Sequence, residues 1–260
     1  MKRVLTKLPE ELPQAIMPYA QQAIIYDSSC SVRAQVYFLD KDAGFYLKKS
    51  EKGTLKKEAE MYNFFHRKGL APEVIAYESG DYDWMLTRRV PGEDCIWQPY
   101  LDDPKRLCDT TARLLRQLHE TDTQGCPISN RTADYISGAE KNYRAGIFDA
   151  DYLPEKYKHL TDREVWQIAE QVSKEMKADT LLHGDYCLPN IILDNWEFSG
   201  FIDLDGSGIG DRHIDLFWGV WTLEFNLKTD RYAQRFLDAY GRDMVNEDLL
   251  SAIGCLEAFG

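Results

Sequence analysis

The stretch His183-Gly184-Asp185-Tyr186-Cys187-Leu188-Pro189-Asn190, followed by Gly200-Phe201-Ile202-Asp203, decides how this chain is read. Asp185 stands five residues before Asn190. Asp203 comes after an expected hairpin, 191–193 paired with 198–202 around a turn at Asp194-Asn195. An isolated loop Asp is ordinarily a cap or turn residue. In register with an Asn and a second Asp, it reads instead as part of a phosphoryl-transfer site. Asp185 then accepts or orients the proton of an attacking hydroxyl. Asn190 and Asp203 offer hard oxygen ligands to Mg²⁺, which offsets the charge on the β- and γ-phosphates of a nucleotide.

Upstream, residues 32–39 and 43–49 read as strands around Asp40-Lys41-Asp42. Residues 54–68 read as a helix stopped by Gly69. Val74-Ile75-Ala76-Tyr77 and Trp84-Met85-Leu86-Thr87-Arg88 read as two further strands. Beyond Val90-Pro91-Gly92 the pattern turns helical. Asp103-Pro104 opens one helix. Thr161-Asp162-Arg163-Glu164 is a capping box before Val165, Ile168, Ala169, Val172 and Met176. Leu249, Ile253 and Leu256 mark a last helix. A strand-rich part followed by a helix-rich part predicts an α+β fold of two lobes: 1–90, a small antiparallel sheet that binds nucleotide, and 91–260, mostly helical.

The bulk numbers exclude several classes. The chain has 260 residues, 44% hydrophobic and 28% charged, as a soluble globular protein does. No apolar run approaches the roughly 20 residues of a membrane span. Lys7, Glu10 and Glu11 interrupt any export signal, so a cytoplasmic protein is expected. Six cysteines without a Cys-x-x-Cys spacing are expected to be free thiols. A net charge of −12 argues against nucleic acid and suits a cationic small molecule. The oligomeric state has no signature here.

The order of parts resembles the protein-kinase set, with His-Gly-Asp in place of His-Arg-Asp and Ile-Asp-Leu in place of Asp-Phe-Gly. The wording is closer still to the aminoglycoside phosphotransferases, above all the 3′-phosphotransferase branch. Gly208-Ile209-Gly210-Asp211-Arg212 and Asp215 extend that resemblance, which runs from about Ser29 to the C-terminus. It implies a kinase-like fold that uses Mg²⁺ and moves the γ-phosphoryl of ATP or GTP to an aminoglycoside hydroxyl, conferring antibiotic resistance. Other readings are a kinase for another cationic or hydroxylated metabolite, or a catalytically silent nucleotide-binding protein. The family pattern selects Lys48 for the α/β-phosphates and Glu58 as its partner, Tyr46 to stack on adenine, and a hinge at 84–92 that includes Thr87 and Arg89. Ser28-Ser29-Cys30-Ser31 occupies the place of a phosphate-covering loop. Glu257, near the terminus, matches an acidic residue that holds the aminoglycoside.

Three other motifs fail on inspection. Asp203-x-Asp205-x-Ser207-Gly208 lacks the twelfth-position Glu of an EF-hand, having Ile214 there. Gly206-x-Gly208-x-Gly210 brings its third Gly one residue too early for a dinucleotide fingerprint. His183 and His213 have no companion ligand, and His183 is expected to support the catalytic loop. The chain also departs from the resembled pattern. Asp205-Gly206 places a carboxylate where Gly is expected, and Arg212 is expected to pair with Asp211 or Asp215. Of Trp218 and Trp221, helical spacing assigns one to the core and leaves the other open to stack on a sugar.

Overall fold

The computed structural model describes residues 4–9, 11–30 and 34–260. In chain order the elements begin with β1 (Val4–Leu5), α1 (Met17–Ala20), β2 (Ile24–Asp27), β3 (Gln35–Asp40) and β4 (Phe45–Glu51). Next come α2 (Lys56–Arg67), β5 (Val74–Ser79), β6 (Tyr82–Arg88), β7 (Glu93–Asp94), α3 (Gln98–Leu101) and α4 (Pro104–His119). The chain continues through α5 (Arg131–Arg144), α6 (Asp162–Ser173), β8 (Thr180–Leu182), β9 (Ile191–Asp194) and β10 (Glu197–Phe201). It closes with β11 (Gly208–Gly210), α7 (Arg212–Leu227), α8 (Ala233–Tyr240) and α9 (Glu247–Glu257). The fold is α+β. It divides into two compact units, Met1–Glu93 with Ile192–Asp205, and Asp94–Ile191 with Gly206–Gly260. A boundary at residue 90 would leave 192–205 with the helical part, whereas they pack with the first unit.

The first unit is built on a six-stranded sheet in the order β1-β2-β3-β4-β6-β5. Every pairing is antiparallel. Period-two alternation sorts its side chains. Tyr37, Leu39, Phe45, Leu47, Trp84 and Leu86 bury one face, and Leu8, Leu12, Ile16 and Tyr19 pack against them. Full burial of such a side chain contributes roughly 1.5–3 kcal/mol. The opposite face carries Tyr46 and Lys48, two residues apart, with Thr87 directly across from Tyr46. The expected strands and the helix at 54–68 are present with shifted ends. Val32 and Arg33 of the first expected strand, Ser31 of the expected loop, and Glu10 and 1–3 of the N-terminal segment lie outside the described residues.

Helix α2 has no side-chain cap of its own, since Leu55 stands at its N-cap. Buried Asp83 of β6 supplies one, accepting from the Leu55 N–H at 3.0 Å, Tyr77 Oη at 2.9 Å and Ser79 Oγ at 2.6 Å. Burial disfavours the charged Asp83, but these donors and the Gly53 N–H hold its carboxyl below the usual range. The hairpin β9–β10 turns on Asn195 and Trp196, both at positive φ, not on Asp194-Asn195. Two left-handed residues match a primed turn, whose twist suits the paired strands.

The second unit packs helices around Val165, Ala169, Ile214, Leu249, Ile253, Leu256 and Phe259. Both predicted helix starts are observed. Asp103 accepts from the Arg106 N–H with Pro104 in the first turn, and Thr161 and Glu164 cap α6 reciprocally. The terminus is fixed as core. Phe259 is fully buried among Tyr143, Phe148 and Trp166, and its carbonyl accepts from Asn142 at 2.8 Å. All six cysteines are free thiols. Among the described residues, no helix is long and apolar enough to cross a membrane.

Candidate active site

In the second unit, β8 pairs with β11, and the 183–190 loop leaves the end of β8. Gly184 has φ +84°, and a Cβ there would lie 1.7 Å from the Gly206 carbonyl oxygen. That close approach requires glycine at 184, and a Cβ on Gly206 would in turn lie 2.9 Å from the Gly184 carbonyl, so Asp205 is followed by glycine as well. Inside the loop, the Asn190 amide donates to the Asp185 carbonyl at 3.0 Å and to Asp185 Oδ2 at 2.9 Å. The nitrogen end of Asn190 thus fixes the carboxylate, and its oxygen is its acceptor end. His183 is fully buried and its Nδ1 accepts from the Asp185 N–H at 3.3 Å, in the supporting role expected for it.

The loop backbone is held from α7. Buried Asp215 accepts from the His183 and Gly184 N–H groups, each at 2.7 Å. Two helical turns on, Thr222 Oγ1 accepts from the Leu188 N–H at 3.1 Å. Behind Asp215 lies buried His119, whose Nε2 is 3.1 Å from Asp215 Oδ2 and whose Nδ1 is 2.8 Å from Tyr240 Oη. Arg212 donates to Tyr240 Oη at 3.2 Å, so the tyrosine proton points to His119 Nδ1 and Nε2–H points to Asp215. Burial, against the pull of Asp215, lowers the His119 pKa and keeps the ring neutral. Arg212 is not the partner of Asp211 or Asp215 that the sequence suggested. It binds Tyr240 and Thr180, while Asp211 pairs with His213 at 2.6 Å.

Glu257, the last residue of α9, accepts from Tyr135 Oη at 2.8 Å. Burial pushes its carboxyl up to about 7; hydrogen bonds from Tyr135 and Trp218 oppose the rise, and the charge of Asp185 adds to it. Beside Asp185, burial also pushes the Cys187 thiol up and keeps it protonated.

The first unit gathers the other predicted group. Lys48 Nζ sits 2.9 Å from both Glu58 carboxylate oxygens and 3.0 Å from Asp203 Oδ1. Burial opposes the Lys48 charge, yet the two carboxylates hold its ammonium well above the ordinary lysine range. Burial pushes Glu58 up to about 7 against the pull of Lys48. Asp203 adopts φ +60°, and its N–H donates to buried Tyr62 Oη at 2.8 Å. A non-glycine residue in this region is held by its surroundings, as functional carboxylates often are.

Tyr46, half-buried, lies 5.1 Å from the Phe38 ring, on the same sheet face as Lys48 and buried Thr87. Arg89 follows β6; its backbone N–H bonds Gly44, and its guanidinium donates to the Gly92 carbonyl. At the expected covering loop, Ser29 Oγ accepts from the Val36 N–H at 2.9 Å.

Asn190 in the second unit and Asp203 in the first each carry an oxygen of the kind that hard divalent cations take. Among the described residues no cluster of three or more His, Cys, Asp or Glu forms a metal cage. Sequence reasoning missed His119, which reads as one more basic residue in the last turn of a helix. It also missed the anchoring role of Asp215.

The model of the phosphotransferase enzyme family matches residues 31–250. A probable aminoglycoside 3′-phosphotransferase of Lactococcus lactis subsp. lactis is 48% identical over 252 residues, 96% of this chain and 96% of its own. The crystal structure of an aminoglycoside-3′-phosphotransferase of type VIII matches with a TM-score of 0.69 and 26% identity, over 90% of this chain and 91% of that one. An aminoglycoside phosphotransferase of Streptomyces rimosus, solved with ADP and streptomycin, shares the fold at a TM-score of 0.65 and 23% identity, covering 85% and 90%.

Proposed function

Since the chain belongs to the phosphotransferase enzyme family, we propose that it transfers the γ-phosphoryl of ATP or GTP to the 3′-hydroxyl of an aminoglycoside in the cytoplasm, conferring resistance. The observation that carries the chemistry is the Asp185 carboxylate, oriented by the Asn190 amide at 2.9 Å on a loop bonded to Asp215. Asp185 accepts a hydrogen bond from the acceptor hydroxyl and takes its proton as the oxygen attacks the γ-phosphorus. The new P–O bond forms to the acceptor, the bond to the β-phosphate oxygen breaks, and the nucleoside diphosphate leaves. No covalent enzyme intermediate is needed, because positioning and charge neutralisation carry such reactions.

On the nucleotide side, Tyr46 stacks on the base and the backbone at Thr87 and Arg89 meets its edge. Lys48, fixed by Glu58, binds the α/β-phosphates. Asn190 and Asp203 would hold Mg²⁺, which would supply neutralisation of the phosphate charge. Glu257 binds a protonated amine of the acceptor. The net charge of −12 favours a polycation.

A turnover panel tests the reading. Kanamycin- and neomycin-type compounds bearing a 3′-hydroxyl should be phosphorylated in the presence of Mg²⁺ and nucleotide, and 3′-deoxy analogues should yield little product. A protein that binds Mg²⁺-nucleotide yet phosphorylates none of them would displace the aminoglycoside in favour of another metabolite.

A further inference from the structure

Four aromatic rings near the catalytic loop have no part in the scheme above. Trp218, Trp221 and Phe225 follow one another along α7 at helical spacing. Trp218 and Trp221 lie edge to face with centroids 5.4 Å apart, and Trp221 stacks on Phe225 at 4.9 Å with 10° between planes. Tyr152 closes on both indoles, at 5.7 Å from Trp218 and 6.0 Å from Trp221. The core side of the same helix is formed by other residues, Ile214, Leu216, Gly219 and Leu223. Trp218 packs against the core of the second unit, and Trp221 is half-exposed. Phe225 is 55% exposed. The tryptophan that the spacing assigned to the core is Trp218, and the row runs from there through half-exposed Trp221 to exposed Phe225.

Three observations say what the row receives. It is continuous with the catalytic loop, because Asp215 and Thr222 of the same helix bond the His183, Gly184 and Leu188 N–H groups. Its surroundings are acidic: the charges of Asp149, Glu257 and Asp151 reach the Tyr152 phenol, Trp218 bonds Glu257, and Glu224 is half-buried beside Phe225. Its outer ring already carries an ammonium group, Lys228 Nζ, 4.2 Å above the Phe225 centroid. Aromatic faces attract cations and the C–H faces of rigid rings, and flanking carboxylates take amines.

We propose that Tyr152, Trp218, Trp221 and Phe225 form a stacking wall for a cationic amino-sugar or aminocyclitol ring of the acceptor, one other than the ring that is phosphorylated. This rests on the acceptor class proposed above. The ring's C–H face lies along the indoles, and an acceptor amine takes the place of Lys228 over Phe225.

The experiment compares a three-ring kanamycin-type acceptor with the two-ring core that lacks the third ring, in wild type, Trp221→Ala and Trp221→Phe. Trp221→Ala should raise the KM of the three-ring acceptor about tenfold, as expected for loss of the indole face on which the ring's C–H side rests. Its kcat and its nucleotide KM should stay within about twofold. The two-ring acceptor should respond less than about threefold, and Trp221→Phe should recover most of the affinity. Equal KM changes for both acceptors, or none for either, would overturn the wall while leaving the phosphotransferase reading intact. Wild type that turns over neither acceptor would instead remove the acceptor class, and the wall with it. Trp221 is half-exposed, so an unchanged melting temperature separates contact loss from misfolding.

Discussion

The proposed functional groups of the two units are held by different physics. Around Lys48, side chains hold side chains: one ammonium bridges Glu58 and Asp203, and Glu58 is only 1% exposed. Around Asp185, a buried carboxylate holds backbone. Asp215 takes two loop N–H groups and is itself oriented by neutral His119. The first arrangement depends on charge and can rearrange when phosphates arrive to compete for Lys48. The second fixes a main-chain path and leaves the Asp185 side chain to react. Substitutions should therefore separate nucleotide affinity from turnover.

The largest effect belongs to Asp185→Asn. Loss of the proton acceptor should lower kcat by more than roughly 100-fold, while nucleotide affinity and melting temperature are retained. Next comes Lys48→Ala, which removes the phosphate contact and leaves Glu58 buried without its cation. Nucleotide KM should rise about 10- to 100-fold, and thermal unfolding should show a loss of a few kcal/mol. A Lys48→Ala protein whose nucleotide KM matches wild type would erase the contrast from that side. Asp215→Asn tests the other side. An amide offers one acceptor oxygen instead of two, so one loop N–H goes unpaired at a cost of about 1–3 kcal/mol. Turnover should fall about tenfold through the misplaced loop, with nucleotide KM unchanged.

Glu257 gives the smallest and most pH-specific effect. Its folded pKa, about 7, lies above the usual value of 4.5, so the fold favours the neutral acid. Stability contributed by that preference is present at low pH and is lost as pH rises from about 4.5 to about 7. Binding of an acceptor amine needs the carboxylate, so kcat/KM for the acceptor should rise through about pH 7. Glu257→Gln should lose that limb, raise acceptor KM several-fold, and leave nucleotide KM alone. Single substitution is the sharper tool here, because truncation of 257–260 would also remove buried Phe259 from the core.

Local chemistry explains how much of this could be read in advance. Asp185 and Asn190 are five residues apart and their hydrogen bond closes within one loop. Lys48 and Glu58 are a strand and a helix start joined by a short turn, so their meeting follows from spacing. What escaped is non-local. The α2 cap comes from Asp83, 28 residues beyond Leu55. Asp215 reaches the catalytic loop from 32 residues beyond His183, and His119 reaches Asp215 from 96 residues away. The N-terminal strands β1 and β2 are short and partly exposed, with too little alternation to stand out before they pair. The placement of 192–205 with the first unit likewise depends on tertiary contacts, such as the Phe201 N–H bonded to the Leu70 carbonyl.

The central claim is that the Asp185 loop directs a nucleotide's γ-phosphoryl to one hydroxyl of an aminoglycoside. Phosphorus NMR of the product from a kanamycin-type acceptor, with proton coupling used to locate the ester, tests it most directly. The account predicts a single phosphomonoester at the 3′ oxygen, formed by wild type and absent with Asp185→Asn. A phosphoryl group on another hydroxyl, or the same product at undiminished rate from Asp185→Asn, would contradict it.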